Sequence, residues 1–265
     1  MQPAIRMRDV GMNFSGGRDR SSYLALSDVQ LEVRAGEFFC LLGPSGCGKT
    51  SLLNLVAGFV EPTAGLVEIK GQRVSRPDKD RGVVFQSDRA LFDWLTVEEN
   101  VSFGPRMRGV PEAEWRGGVD EMLRLVGLAE HREKLPRELS GGMKQRVQIA
   151  RVLANDPDIL LMDEPFAALD AYTRGHMQKE VTRIWDASRR TVLFVTHDIA
   201  EAIWLADRIG IMTRGPGSYI RQIFEVNLPR PRERMTDGFI NLFNQLAEAI
   251  DEEAGHTHRQ EEAAQ

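Results

Sequence analysis

Residues 43–50 read GPSGCGKT, which fits G-x-x-x-x-G-K-T with Gly43, Gly48, Lys49 and Thr50 in the fixed places. Glycines let a backbone curl into a nest of N–H groups for phosphate oxygens, lysine adds a point charge, and threonine offers Mg2+ a hydroxyl. Pro44, Ser45, Gly46 and Cys47 complete the nest, and Ser51 opens the helical run SLLNLVAGF. ILLMDEP at 159–165 is an apolar run ending in Asp163, able to hold Mg2+ through its water shell, and Glu164, able to orient or polarise an attacking water. LSGGMKQRVQIAR at 139–151 sets Ser140, Gly141 and Gly142 at the start of a helical pattern. Backbone N–H groups and the positive end of a helix dipole favour an anion there, so one chain carries two phosphate-binding segments. Gln86 closes GVVFQ with an amide able to contact a metal-bound or attacking water, and His197 follows TVLFVT with a side chain able to hydrogen-bond a phosphate. These two, and Asp170 in AALD, mean little singly.

The elements that would position these groups are legible nearby. FFCLLG (38–43), GVVFQ (82–86), ILLMDE (159–164) and TVLFVTH (191–197) are short apolar runs that each end in a chemically loaded residue. Such runs predict buried parallel strands, helical patterns lie between them, and in an open α/β sheet ligands collect at the carboxyl ends of the strands. The expected class is α/β with a mostly parallel sheet, its core formed by residues 1–86 and 159–230. Between them, 87–158 reads as an inserted helical subdomain, with Trp115, Val119, Met122, Leu123 and Val126 on one helical face. Residues 231–250 hold a docking helix, DGFINLFNQLAEAI, capped by Thr236 or Asp237. The acidic, polar stretch 251–265 predicts a disordered tail, in which His256 and His258 are tail residues rather than metal ligands.

Bulk properties exclude several classes. With 265 residues, 42% hydrophobic and 28% charged, the chain can bury a full core. A net charge of -5 lacks the basic footprint of a duplex-binding protein, so no nucleic-acid partner is expected. Two cysteines, Cys40 and Cys47, are too few for a disulfide framework and suit a reducing compartment. No apolar run reaches the roughly 20 residues of a membrane span, which predicts a soluble chain.

In order and spacing, GPSGCGKT, Gln86, LSGGMKQR, ILLMDEP, ALD and Thr196-His197 resemble the nucleotide-binding subunit of ABC transporters over roughly residues 4–230. The resemblance implies a P-loop NTPase fold with a small N-terminal antiparallel β region, and ATP and Mg2+ as ligands. In that family two cassettes pack head to tail, and each ATP lies between one P-loop and the other copy's Ser-Gly-Gly helix start. Ser140, Gly141 and Gly142 would thus grip the partner's γ-phosphate, which accounts for the second phosphate-binding segment. By the same resemblance Glu164 is the general base, His197 the γ-phosphate switch, Asp170 the cross-interface acid, and Gln86, Thr50 and Asp163 the metal-side groups. Phe14 holds the family position for stacking on adenine, with Tyr23 as its rival. Cys47 fits the pattern, and alkylating it is expected to block nucleotide binding.

The stretches VVFQSDRALFDWLTVEENVSFG and DEPFAALDAYTR are similar to import cassettes for nitrate, sulfonates and taurine, although Asp93 precedes Trp94 where many relatives have proline. That likeness implies an ATP-dependent homodimer on the cytoplasmic face of the membrane, docked through residues 88–110 to permease subunits and served indirectly by a solute-binding protein. The competing reading is a soluble ABC ATPase in cofactor assembly or repair. Repair ATPases of this type carry a long coiled-coil insertion between the motifs, which this sequence lacks. A degenerate cassette would be expected to lose Glu164 or the signature glycines, and all are present.

Overall fold

The computed structural model describes residues 2–15, 22–86 and 90–263, with side chains through residue 252. Residues 2–78 form β1 (Ile5–Ser15), β2 (Ser22–Val33), β3 (Phe38–Leu42), α1 (Lys49–Ala57), β4 (Ala64–Ile69) and β5 (Gln72–Arg73). Residues 79–189 form β6 (Arg81–Val84), α2 (Val97–Met107), α3 (Glu112–Leu125), α4 (Gly141–Leu153), β7 (Ile159–Asp163) and α5 (Ala171–Ser188). The rest forms β8 (Thr191–Thr196), α6 (Ile199–Leu205), β9 (Arg208–Met212), β10 (Ile220–Glu225) and α7 (Asp237–Ala263). The four apolar runs are strands β3, β6, β7 and β8. Two compact units result, Met1–Asp78 with Arg190–Gln265, and Lys79–Arg189.

In the first unit β1 pairs antiparallel with β2 and β4, giving a sheet of order β2-β1-β4-β5. Along β2, Val29, Leu31 and Val33 are buried and alternate with exposed Asp28, Gln30 and Glu32, the period-two pattern of a sheet with one wet face. All five residues of β3 are buried because β8 and β9 flank it in parallel, while β10 adds antiparallel to β9. Helix α7 packs on α6, with Phe239 and Leu246 buried, and the Thr236 hydroxyl accepts from Phe239 N at 3.4 Å, which makes Thr236 its cap. The backbone stays helical to Ala263, where a disordered tail was expected from residue 251. The reason lies in composition: DEEAGHTHRQEEA is rich in glutamate and alanine, strong helix formers that prolong a helix already nucleated by packing. The side chains of His256 and His258 lie outside the described residues.

In the second unit β6 and β7 pair in parallel and α4 lies against β6. Gly82 permits that approach, since a Cβ there would meet Val152 Cγ1 at 2.6 Å. Close packing of α4 on β6 places both strands with the helices in the compact unit Lys79–Arg189. On α3, Val119 and Leu123 are buried, as is Val126 just beyond it, while Trp115 and Met122 are half-buried. Helix α2 starts with a capping box in which Thr96 and Glu99 each accept the other's backbone N–H.

Candidate active site

Within the first unit the site grows from the register of two strands. Leu42 of β3 stands opposite Thr196 of β8, so Gly43 and His197 leave the sheet side by side at its carboxyl edge. Gly46 (φ 80°) and Gly48 (φ 91°) take the left-handed conformation that turns the loop into α1. A Cβ on Gly46 would meet nothing within 4 Å, so the loop face there is open to a ligand. Lys49 is only 5% exposed, and its Nζ donates to the Gly43 and Pro44 carbonyls at 2.7 Å each. The loop thus arches over its own lysine and holds the ammonium beneath the open nest. Thr50 is exposed at the second position of α1. His197 is exposed on a turn clamped from both sides: Thr196 Oγ1 accepts from Asp198 N at 3.0 Å, and Asp198 Oδ1 accepts from Glu201 N to cap α6.

Phe14 and Tyr23 are exposed register partners at one end of β1 and β2. A Cβ on Gly215 would meet the Tyr23 hydroxyl at 2.9 Å and the Gly46 carbonyl at 3.9 Å, so Tyr23 reaches a turn that borders the P-loop. The fold therefore brings both adenine candidates to one place. Cys47 is buried, and burial pushes its thiol up, against a lowering pull from Lys49. A buried, protonated thiol is a poor nucleophile, so alkylation at Cys47 is slowed, while its expected effect on nucleotide binding is a separate matter of its place in the nest.

Within the second unit β6 and β7 run level, with Val84 opposite Met162. Two residues beyond each lie Gln86 and Glu164, and Gln86 Nε2 donates to Glu164 Oε2 at 3.2 Å. Asp163 is buried at the end of β7, whereas Glu164 is half-buried in the left-handed region at φ 44°. That conformation costs a non-glycine residue about 1–3 kcal/mol and turns the carboxylate out of the strand direction.

Ser140 caps α4, its Oγ accepting from Met143 N at 3.3 Å. A Cβ on Gly141 would meet nothing within 4 Å, so the helix start is open to an approaching group, while Gly142 lies against Leu169. Asp170 is exposed and caps α5 through Thr173 N at 3.0 Å, and this backbone donor holds its carboxyl below the usual range. Gln145 was overlooked in the sequence. Its Nε2 donates to the Phe85 carbonyl at 3.0 Å, and the available signal was a glutamine in step with the buried positions Gln148, Ile149 and Val152 of α4.

A family model described as ABC transporter matches residues 26–167. A taurine import ATP-binding protein from Jannaschia sp. is 49% identical over 216 residues, which are 80% of this chain and 79% of that protein. The chain belongs to the ABC transporter family. A bicarbonate transport ATP-binding protein from Synechococcus elongatus is 51% identical over 88% of the cassette chain but 35% of its own length, so the chain spans about a third of that relative. Among solved structures, the dimeric post-hydrolysis state of the ATP-binding cassette MJ0796 bound to ADP and Pi has a TM-score of 0.75 at 31% identity, covering 84% of this chain and 99% of that one. The cassette is an ATPase of the P-loop NTPase fold. Phe14, Tyr23, Asp170 and His197 lie outside the stretch that the family model matches.

Proposed function

We propose that this chain is the ATP-hydrolysing subunit of an importer, working as a pair of copies at the cytoplasmic face of a membrane beneath a separate permease. The carrying observation for the chemistry is Glu164, a carboxylate turned out of its strand by a left-handed backbone and held by the Gln86 amide at 3.2 Å. A general base needs that fixed aim at an attacking water. Lys49 and the P-loop N–H groups hold the β and γ phosphates, and His197, beside Gly43 at the sheet edge, hydrogen-bonds the γ-phosphate. Phe14 stacks on adenine, with Tyr23 as the alternative for that role. The Thr50 hydroxyl, the Gln86 amide and the Asp163 carboxylate are oxygen donors of the kind Mg2+ takes, and the ion would supply neutralisation of phosphate charge. Ser140, Gly141 and Gly142 close on the nucleotide of the second copy, and Asp170 faces that copy from the start of α5. Likeness to a taurine import protein at 49% identity supports uptake of a small solute of the nitrate, sulfonate or taurine kind, delivered by a solute-binding protein.

The test is Glu164→Gln. ATP hydrolysis should fall at least a hundredfold while ATP affinity holds. With ATP and Mg2+ its mass in solution should shift from one copy to two, because ATP that is not hydrolysed keeps the pair closed. Hydrolysis near the wild-type rate would remove Glu164 from the role of base, and a variant that binds ATP yet stays single would count against closure by residues 140–142.

A further inference from the structure

Gln145 is 1% exposed on α4, five residues after Ser140, or about 7.5 Å along the helix axis. Its Nε2 donates to the Phe85 carbonyl at 3.0 Å, while its Oε1 is buried with no hydrogen-bond partner among the described residues. Phe85 directly precedes Gln86, whose amide holds Glu164. A buried acceptor left unmatched is destabilising, and a side chain of similar shape such as methionine would avoid it. Glutamine at this position therefore serves the single bond that it does make.

We infer that Gln145 is a positioning residue which ties the backbone beside Gln86 to the signature helix, so that engagement of α4 by a second copy's nucleotide is felt at Glu164. The path lies wholly within the second unit: Ser140 and Gly141 at the open start of α4, Gln145 on its buried face, the Phe85 carbonyl, the Gln86 amide and the Glu164 carboxylate. Each link is a direct hydrogen bond, a rigid helical turn or the peptide bond joining Phe85 to Gln86, so a shift of α4 along its axis must either drag the 85–86 backbone or break the Gln145 bond. The inference rests on Glu164 and Gln86 acting in hydrolysis, as proposed above.

The test is a double-mutant cycle on the full chain in steady-state ATP hydrolysis, combining Gln145→Met with Gln86→Ala. Gln145→Met alone should lower kcat about fivefold to tenfold with KM for ATP within about twofold, because Lys49 and the P-loop are untouched. In the Gln86→Ala background the same change should have almost no further effect on kcat, since its route to Glu164 is already cut. Gln145→Asn, which carries the amide one methylene short of Phe85, should reproduce the loss with less change in polarity and stands in if the methionine variant does not fold. Equal fold-losses in both backgrounds, or a wild-type kcat for both Gln145 variants, would overturn the positioning role. A wild-type rate for Glu164→Gln would overturn it as well, by removing the base on which it acts; normal loss in Glu164→Gln with additive Gln145 effects sinks the positioning role alone.

Discussion

At Cys47 two influences compete, burial raising the thiol pKa and the neighbouring Lys49 lowering it, and burial is the larger. The thiol stays protonated to a higher pH than an ordinary cysteine, so its reaction with iodoacetamide at pH 8 should run at least tenfold slower than that of free cysteine. The rate should climb only as pH rises further, because the thiolate is the nucleophile. Labelling as fast as free cysteine would mean that the P-loop opens far more often than its packed form suggests. Asp170 shows the opposite sign. The Thr173 N–H holds its carboxyl below the usual range, so its capping contribution to α5 is complete above the unfolded aspartate value, about 3.9, and is lost as pH falls through the depressed folded value.

Among the elements, α6 has seven residues, and its buried carbonyl end is closed by an arginine from a distant loop. Arg232 is buried, and its NH1 donates to the carbonyls of Ile203 and Ala206 at 2.7 Å each and of Trp204 at 3.1 Å. Arg230 adds a bond to the Leu205 carbonyl at 2.6 Å and another to Asp207 Oδ1 at 3.0 Å. Carbonyls at a helix end need such partners, and a buried arginine satisfies three at once. Arg232→Leu should destabilise the protein by about 2–4 kcal/mol in urea denaturation, since it strands several buried acceptors. A loss under about 1 kcal/mol would mean that water replaces the guanidinium.

For the whole molecule, an exposed tryptophan on the second unit marks a surface suited to a partner. Trp94 is 74% exposed, yet its ring rests on Phe92 at 5.4 Å, Phe92 meets Phe103 at 4.4 Å, and the Arg151 guanidinium lies 5.3 Å over Phe92. An exposed tryptophan on a rigid aromatic base is the anchor type found at interfaces. Residues 88–110 are the proposed permease dock, of which 88 and 89 lie outside the described residues. Trp94→Ala should leave hydrolysis by the isolated cassette within about twofold while reducing its co-purification with the permease at least tenfold, a central aromatic anchor contributing about 2 kcal/mol or more. Undiminished co-purification would move the dock elsewhere. No helix among the described residues is long and apolar enough to cross a membrane.

Much of this was legible before any fold was known, because phosphate chemistry imposes local rules. A nest needs glycines followed by lysine and a hydroxyl, and a buried parallel strand needs an unbroken apolar run, so GPSGCGKT and the strands β3, β6, β7 and β8 could be placed from spacing alone. Capping is equally local: Thr236 or Asp237 stood as the cap of the last helix, and Thr236 takes that place. The tertiary structure decided what depends on distant segments meeting. Strand register set Gln86 beside Glu164 and His197 beside Gly43. Burial raised the Cys47 thiol, and the reach of α4 to the 85–86 turn gave Gln145 its bond. Residue type and spacing are local properties of the chain, whereas register, burial and the partner of a buried amide arise only when remote segments pack.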